Sequence, residues 1–142
     1  MNIFTYGTLM DPEIMRTVSG GEFHSQKAVL KHYCRKRVNG EVYPGIVKRD
    51  HYSLEGIVYL GVDRHALSRL DRFEGSQYAR CEVLLNTEAG EEISAQAYVI
   101  TAEHTHELSE DDWSFEQFLK HEKTLFFERY QGFEELDRMA GS

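Results

Sequence analysis

Apolar positions recur along this chain with two spacings, one suited to strands and one to helices. Asn2 to Tyr6 reads as a short buried strand, and Gly7-Thr8-Leu9-Met10 turns it toward a helix. Asp11 is placed to cap that helix, Pro12 to open it, and Gly20-Gly21 to end it, with Ile14, Met15 and Val18 facing inward. Ala28–Val38 and Val42–Lys48 predict two strands joined at Asn39-Gly40, a pair that suits a two-residue hairpin turn. Ser53–Val62 is too apolar for an edge and predicts a central strand. A helix follows over Asp63–Phe73, capped by Asp63 and stopped by Gly75. Tyr78–Asn86 and Ile93–Ile100 predict two further strands around a turn at Glu88-Ala89-Gly90. An acidic loop, His104–Asp112, leads to a long helix from about Asp112 to Tyr130. There Phe115, Phe118, Leu119, Glu122, Leu125, Phe126, Arg129, Tyr130 and Phe133 recur at helical spacing. Roughly six strands and three helices result, and their hairpin links imply a sheet that is mixed or largely antiparallel. Periodicity fits a small barrel and an open sheet equally.

A length of 142 residues with 41% hydrophobic content supports one domain with a real core, here 1–136, followed by a frayed tail at 137–142. No apolar run reaches the roughly 20 residues of a membrane span, and Met1–Thr5 lacks the features of a signal peptide. Cys34 and Cys81 have no metal-ligand spacing, which fits free thiols in a reducing, cytoplasmic setting. The net charge of −8 argues against nucleic acid and anionic membranes as partners. It also means that an anionic ligand has to be held by local donors. The basic stretch Lys27–Arg37, flanked by Glu22 and Glu41, reads as an exposed strand face.

The candidate chemistry starts from a misplaced charge. Glu74 stands four residues after Leu70 and seven after Leu67, on the stripe formed by Ala66, Leu67, Leu70 and Phe73. A carboxylate aimed at a core is costly to ionise, so its pKa rises and it can accept a proton near neutrality. The alternatives are that the helix frays at Phe73 and Glu74 meets solvent, or that Glu74 pairs with Arg72 or Arg80. Tyr6-Gly7-Thr8-Leu9 ends a strand with a glycine before a helix, and successive N–H groups in such a turn can converge on an anion. From the glycine alone, an ordinary strand-to-helix turn is the favoured reading. Pro44 in Tyr43-Pro44-Gly45 marks an edge or bulge, and Tyr43 can line a pocket. Tyr78 and Arg80 share one strand face and can orient Glu74, contact a substrate or form a surface pair. His104-Thr105-His106 lacks a third ligand at motif spacing, so no metal is expected. The chain contains no G-x-S-x-G elbow, P-loop or G-x-G-x-x-G.

Together, Tyr6-Gly7-Thr8-Leu9, Tyr43-Pro44-Gly45, Leu70-Asp71-Arg72-Phe73-Glu74-Gly75 and the following Tyr78 and Arg80 resemble the gamma-glutamylcyclotransferase family. The likeness is to its small branch, which includes gamma-glutamylamine cyclotransferase and bacterial homologues, and it covers roughly Asn2 to Ile100. The resemblance implies an α+β fold, a small mixed, largely antiparallel six-stranded β-barrel with flanking helices. It implies that a gamma-glutamyl amide cyclises by attack of its own alpha-amine on the gamma-carbonyl, releasing 5-oxoproline and an amine or amino acid. Glu74 matches the catalytic glutamate, and Tyr6, Gly7, Thr8 and Leu9 match the substrate-binding loop. No metal or organic cofactor is implied. A non-catalytic module binding a small metabolite in the same pocket is the alternative. The aromatic C-terminal helix serves core packing or a homodimer contact.

Overall fold

The structure, a computed structural model, describes residues 1–130. Its strands are β1 (Ile3–Thr5), β2 (Ser25–Arg37), β3 (Pro44–Tyr59), β4 (Tyr78–Thr87) and β5 (Glu92–Ile100). They close into a barrel in the order β1-β3-β2-β4-β5. Every pairing is antiparallel except β1 with β5, where Ile3 lies opposite Gln96 and Phe4 opposite Ala97. The mixed barrel is as the resemblance implied, with one correction to its strand count.

The strands expected over Val42–Lys48 and Ser53–Val62 are one strand, β3, so the barrel has five strands. Between the pairs Lys31–Ser53 and Tyr33–Lys48, the single β2 residue His32 stands opposite the β3 segment 49–52. His32 and His51 take up this mismatch at φ 68° and 70°, in the left-handed region. The exposed polar run at 49–52 mimics a loop, but pairing with β2 resumes on both sides of it. Asn39-Gly40 does sit at a turn, closed by Glu41 N–H donating to the Val38 carbonyl at 3.0 Å. The chain then needs Glu41–Tyr43 before β3 begins at Pro44.

The helices begin where their caps predict. Helix α1 (Pro12–Ser19) is capped by the Asp11 carboxylate accepting from Glu13 N–H at 2.8 Å. Helix α2 (Arg64–Glu74) is capped by Asp63 accepting from Ala66 N–H at 2.8 Å, and Gly75 ends it with φ 72°. The C-terminal helix, α3, starts later than expected. Ser114 caps it, α-helix forms at Phe115–Gln117, a π-helical turn follows at Phe118–Glu122, and α-helix continues over 123–130. Phe133 and the frayed tail at 137–142 lie outside the described residues. No helix among the described residues is long and apolar enough to cross a membrane.

Alternation along the strands divides the core in two. Phe4, Leu30, Ile46, Val58, Leu85 and Ala97 belong to a cluster built from strand residues, inside the barrel. Ile3, with the opposite orientation, joins Ile14, Leu70, Trp113, Phe118 and Phe126 under the helices. Burial of both faces of β1 explains why Ile3 and Phe4 are both apolar, while the buried Thr5 hydroxyl is satisfied by donating to the Ile57 carbonyl at 2.8 Å. The barrel closes tightly at Gly56, where a Cβ would meet the Thr5 carbonyl oxygen and come within 2.6 Å of the Phe4 ring. Gly56→Ala is therefore expected to destabilise the fold by about 1–3 kcal/mol or more, read as a lower midpoint in urea unfolding. An unchanged midpoint would mean that β1 and β3 do not approach this closely.

Candidate active site

One cavity of about 220 Å³ opens between the end of β1, the start of β3, the C-terminal end of α2 and the helix α3. Tyr6, Gly7, Thr8 and Leu9 form one wall, and Val42, Tyr43 and Pro44 another. Phe73, Glu74, Gln77 and Tyr78 come from the α2–β4 junction, and Tyr98 from β5. Phe126, Arg129 and Tyr130 close it from α3. The volume is below the roughly 300–1,000 Å³ of drug-sized sites, which suits a small head group.

Glu74 is the last residue of α2. Leu70, one turn earlier, is fully buried, and this anchors the helix so that Glu74 faces the cavity instead of fraying into solvent. Burial pushes its carboxyl pKa up to about 8, and the neighbouring charge of Asp71 adds to the effect. Among the described residues Glu74 has no ion-pair partner. Arg80 pairs with Asp71 instead, at 3.0 Å, and does not line the cavity. Of the readings open for Arg80, the structure has the surface pair: Tyr78 faces the cavity, while the longer Arg80 side chain reaches across the surface to Asp71.

The Tyr6–Leu9 loop presents unpaired donors. Among the described residues no acceptor meets the N–H of Gly7, Thr8 or Leu9. Their carbonyl side is occupied: Gly7 O accepts from Met10 N–H at 3.0 Å, and Leu9 O accepts from the Tyr59 hydroxyl at 2.9 Å. A glycine is required at position 7 for space, since a Cβ would lie 2.8 Å from Pro44 Cδ. Pro44, expected to be structural, packs its ring against this loop and brings the two walls together.

Tyrosines brace the remaining walls. The Tyr6 hydroxyl donates to the Tyr98 carbonyl at 2.6 Å, Tyr98 donates to Asp71 at 2.7 Å, and Tyr78 donates to the Pro44 carbonyl at 2.9 Å. Burial raises the pKa of all three, so they remain protonated donors. Tyr43 is pushed up to about 12, by burial first and the charge of Glu41 second. At the mouth Arg129 and Glu41 pair at 3.1 Å.

Sequence reasoning grouped Glu74, Tyr6, Gly7, Thr8, Leu9, Tyr43 and Tyr78 as site residues, and all line this cavity. It missed Tyr98 and the contribution of α3. Tyr98 carries no local signal, because it arrives through the β4–β5 register opposite Arg80. Phe126, Arg129 and Tyr130 did carry one: they share a helical stripe in which an arginine interrupts aromatics. Trp113, Phe118, Phe126 and Tyr130 are buried in the core, with Phe73 packed edge-on against Phe126 and Tyr130.

The profile of a family described as gamma-glutamyl cyclotransferase, AIG2-like, matches residues 3–115. AIG2-like protein C of Arabidopsis thaliana is 32% identical over 127 residues, 88% of this chain and 73% of that protein. A solution structure from Arabidopsis thaliana superposes with a TM-score of 0.69 at 28% identity, over 96% of this chain and 91% of its own. A structure described as gamma-glutamyl cyclotransferase superposes with a TM-score of 0.62 over 70% of this chain and 66% of its own; at 21% identity this is a likeness of fold.

The raised pKa makes Glu74 a test of the cavity by stability alone. Between its ordinary value of 4.5 and about 8, the folded chain keeps a proton that the unfolded chain has lost. Stability therefore falls as pH rises through that window. Glu74→Gln removes this titration and should raise the unfolding free energy more at about pH 9 than at about pH 5, by up to a few kcal/mol, read from urea unfolding at the two pH values. Glu74 keeps partial solvent access through the cavity, so the gain should stay below what the full shift implies. Equal differences at both pH values would mean that the carboxyl is well solvated.

Proposed function

Because this chain belongs to the gamma-glutamyl cyclotransferase, AIG2-like family, we propose that it is a cofactor-independent cyclotransferase acting on a gamma-glutamyl amide. One observation carries the reading: a desolvated carboxyl with no ion-pair partner among the described residues, and a loop whose N–H groups meet no acceptor among them, line the same small cavity. The reaction needs little else, since the substrate contains its own nucleophile.

Glu74, ionised, takes a proton from the alpha-ammonium of the bound substrate. The freed amine nitrogen attacks the gamma-carbonyl carbon, and the carbonyl oxygen becomes an oxyanion. Protonated Glu74 then returns its proton to the amide nitrogen, the carbon–nitrogen bond breaks, the ring nitrogen gives up its second proton to the departing amine, and 5-oxoproline and an ammonium leave. A carboxyl pKa of about 8 suits both steps, because it lies near the roughly 7.7–8.0 of an alpha-amino group. The N–H groups of Gly7, Thr8 and Leu9 supply donors to the substrate carboxylate and the developing oxyanion. Confinement between Phe73, Tyr43, Phe126 and Tyr130 favours the folded-back substrate shape that ring closure requires. That the chain is of the small branch that includes gamma-glutamylamine cyclotransferase is part of this proposal, supported by the resemblance at Tyr6–Leu9, Tyr43–Gly45, Leu70–Gly75, Tyr78 and Arg80.

Incubation with a panel of gamma-glutamyl amides, followed by mass-spectrometric detection of 5-oxoproline, tests the activity. Glu74→Gln should lower kcat by about 100-fold or more; an equally active variant would remove Glu74 from the mechanism. Thermal stabilisation by every amide with no product from any would instead favour a binding module. The rate should rise with pH through about 8, as Glu74 ionises. Asp71→Asn removes the nearby negative charge and should move that rise to lower pH. A limb that stays in place would mean that Asp71 does not tune Glu74.

A further inference from the structure

We infer that Arg35 is the positioning residue of the Tyr6–Leu9 loop, holding the Tyr6–Gly7 peptide so that its N–H is presented to the cavity. The inference rests on the reading of that loop as the holder of the substrate's negative charge.

Arg35 lies in β2 and does not line the cavity. Its Nη1 donates to the Tyr6 carbonyl at 2.8 Å and to the Glu55 carbonyl at 3.2 Å. Tyr6 stands just beyond Thr5, the last residue of β1, where the ladder no longer supplies a donor. Arg35 takes over that role with a charge-assisted bond, stronger than a neutral one. The C=O and N–H of a trans peptide point in opposite directions. Fixing the Tyr6 carbonyl on Arg35 therefore aims the Gly7 N–H away from β2, and Gly7 lines the cavity. A permanent positive charge behind the carbonyl also polarises the amide, which makes its N–H a better donor to an anion.

The guanidinium is itself held. It lies over Trp113, 5.8 Å from the ring centroid, and Trp113 Nε1 donates to the Val42 carbonyl at 2.8 Å. Val42 belongs to the wall that meets the loop at Pro44. Arg35 and Trp113 thus connect the two walls from outside the cavity. Lysine would keep the charge but lose the planar group that stacks on the indole.

The test uses the full chain, labelled with ¹⁵N, as wild type, Arg35→Met and Arg35→Lys. Heteronuclear relaxation reports backbone order at Gly7–Leu9 without any ligand, and kcat and KM are measured on an amide that wild type cyclises. Arg35→Met should become mobile at Gly7–Leu9 while α1 and β4 stay ordered. Its kcat should fall about 10- to 100-fold with a much smaller change in KM, and Arg35→Lys should fall between it and wild type. Unchanged order at Gly7–Leu9, or unchanged kcat, overturns the assignment, as does loosening spread evenly over the whole chain. If Arg35→Met does not fold, Arg35→Lys decides: wild-type loop order and kcat in that variant overturn it. A wild type that cyclises none of the amides removes the cyclotransferase reading, and the relaxation measurement then judges Arg35 alone.

Discussion

The shared pairing of β1 is the constraint on which the architecture depends. This short strand is antiparallel to β3 and parallel to β5, so it closes the barrel. Its side chains enter both cores, Phe4 inside the barrel and Ile3 under the helices. The space for this comes from Gly56, which lets β3 pass directly beneath Thr5 and Phe4. The end of so firmly held a strand delivers the Tyr6–Leu9 loop to a defined place. Gly7 repeats the device at the next step, giving up a side chain so that Pro44 can approach.

The same packing that builds the cavity works against the charge it contains. Glu74 is desolvated, and the negative charge of Asp71 opposes its ionisation further. Arg80 could have neutralised Glu74 but is engaged by Asp71, which also accepts from Tyr98. A paired Glu74 would be a more stable and weaker base. Stability is thus lower than the fold could reach, and proton affinity is higher where the chemistry needs it. Helix α3 contributes to this desolvation, with Phe126 and Tyr130 against the cavity and ion pairs Arg37–Glu122, Lys123–Asp11 and Arg129–Glu41 holding it down.

Local signals were legible wherever a residue acts on its own backbone. Asp11, Asp63 and Gly75 mark helix ends because their effect reaches only a few residues. Glu74 was legible for a related reason, since one helical period relates it to Leu70. The division of β3 was misjudged because residues 49–52 are polar, and polarity reports which surfaces are wet, not whether a chain is extended. The choice among the readings of Arg80 was not legible, because strand alternation gives the direction of a side chain but not the reach of a long one.

What the sequence determined by itself is therefore the elements apart from the continuity of β3, the caps of α1 and α2 and the few residues whose chemistry is out of place. It also carried the family, through short motifs near both Tyr6 and Glu74. The tertiary structure alone decided that those motifs face one cavity, that Tyr98 and α3 complete its walls, and that Arg35 holds the loop from behind. The physical reason is separation along the chain. Caps and periodicity act over a turn of helix or a strand pair, whereas Arg35 meets Tyr6, and Glu41 meets Arg129, only after the barrel has closed.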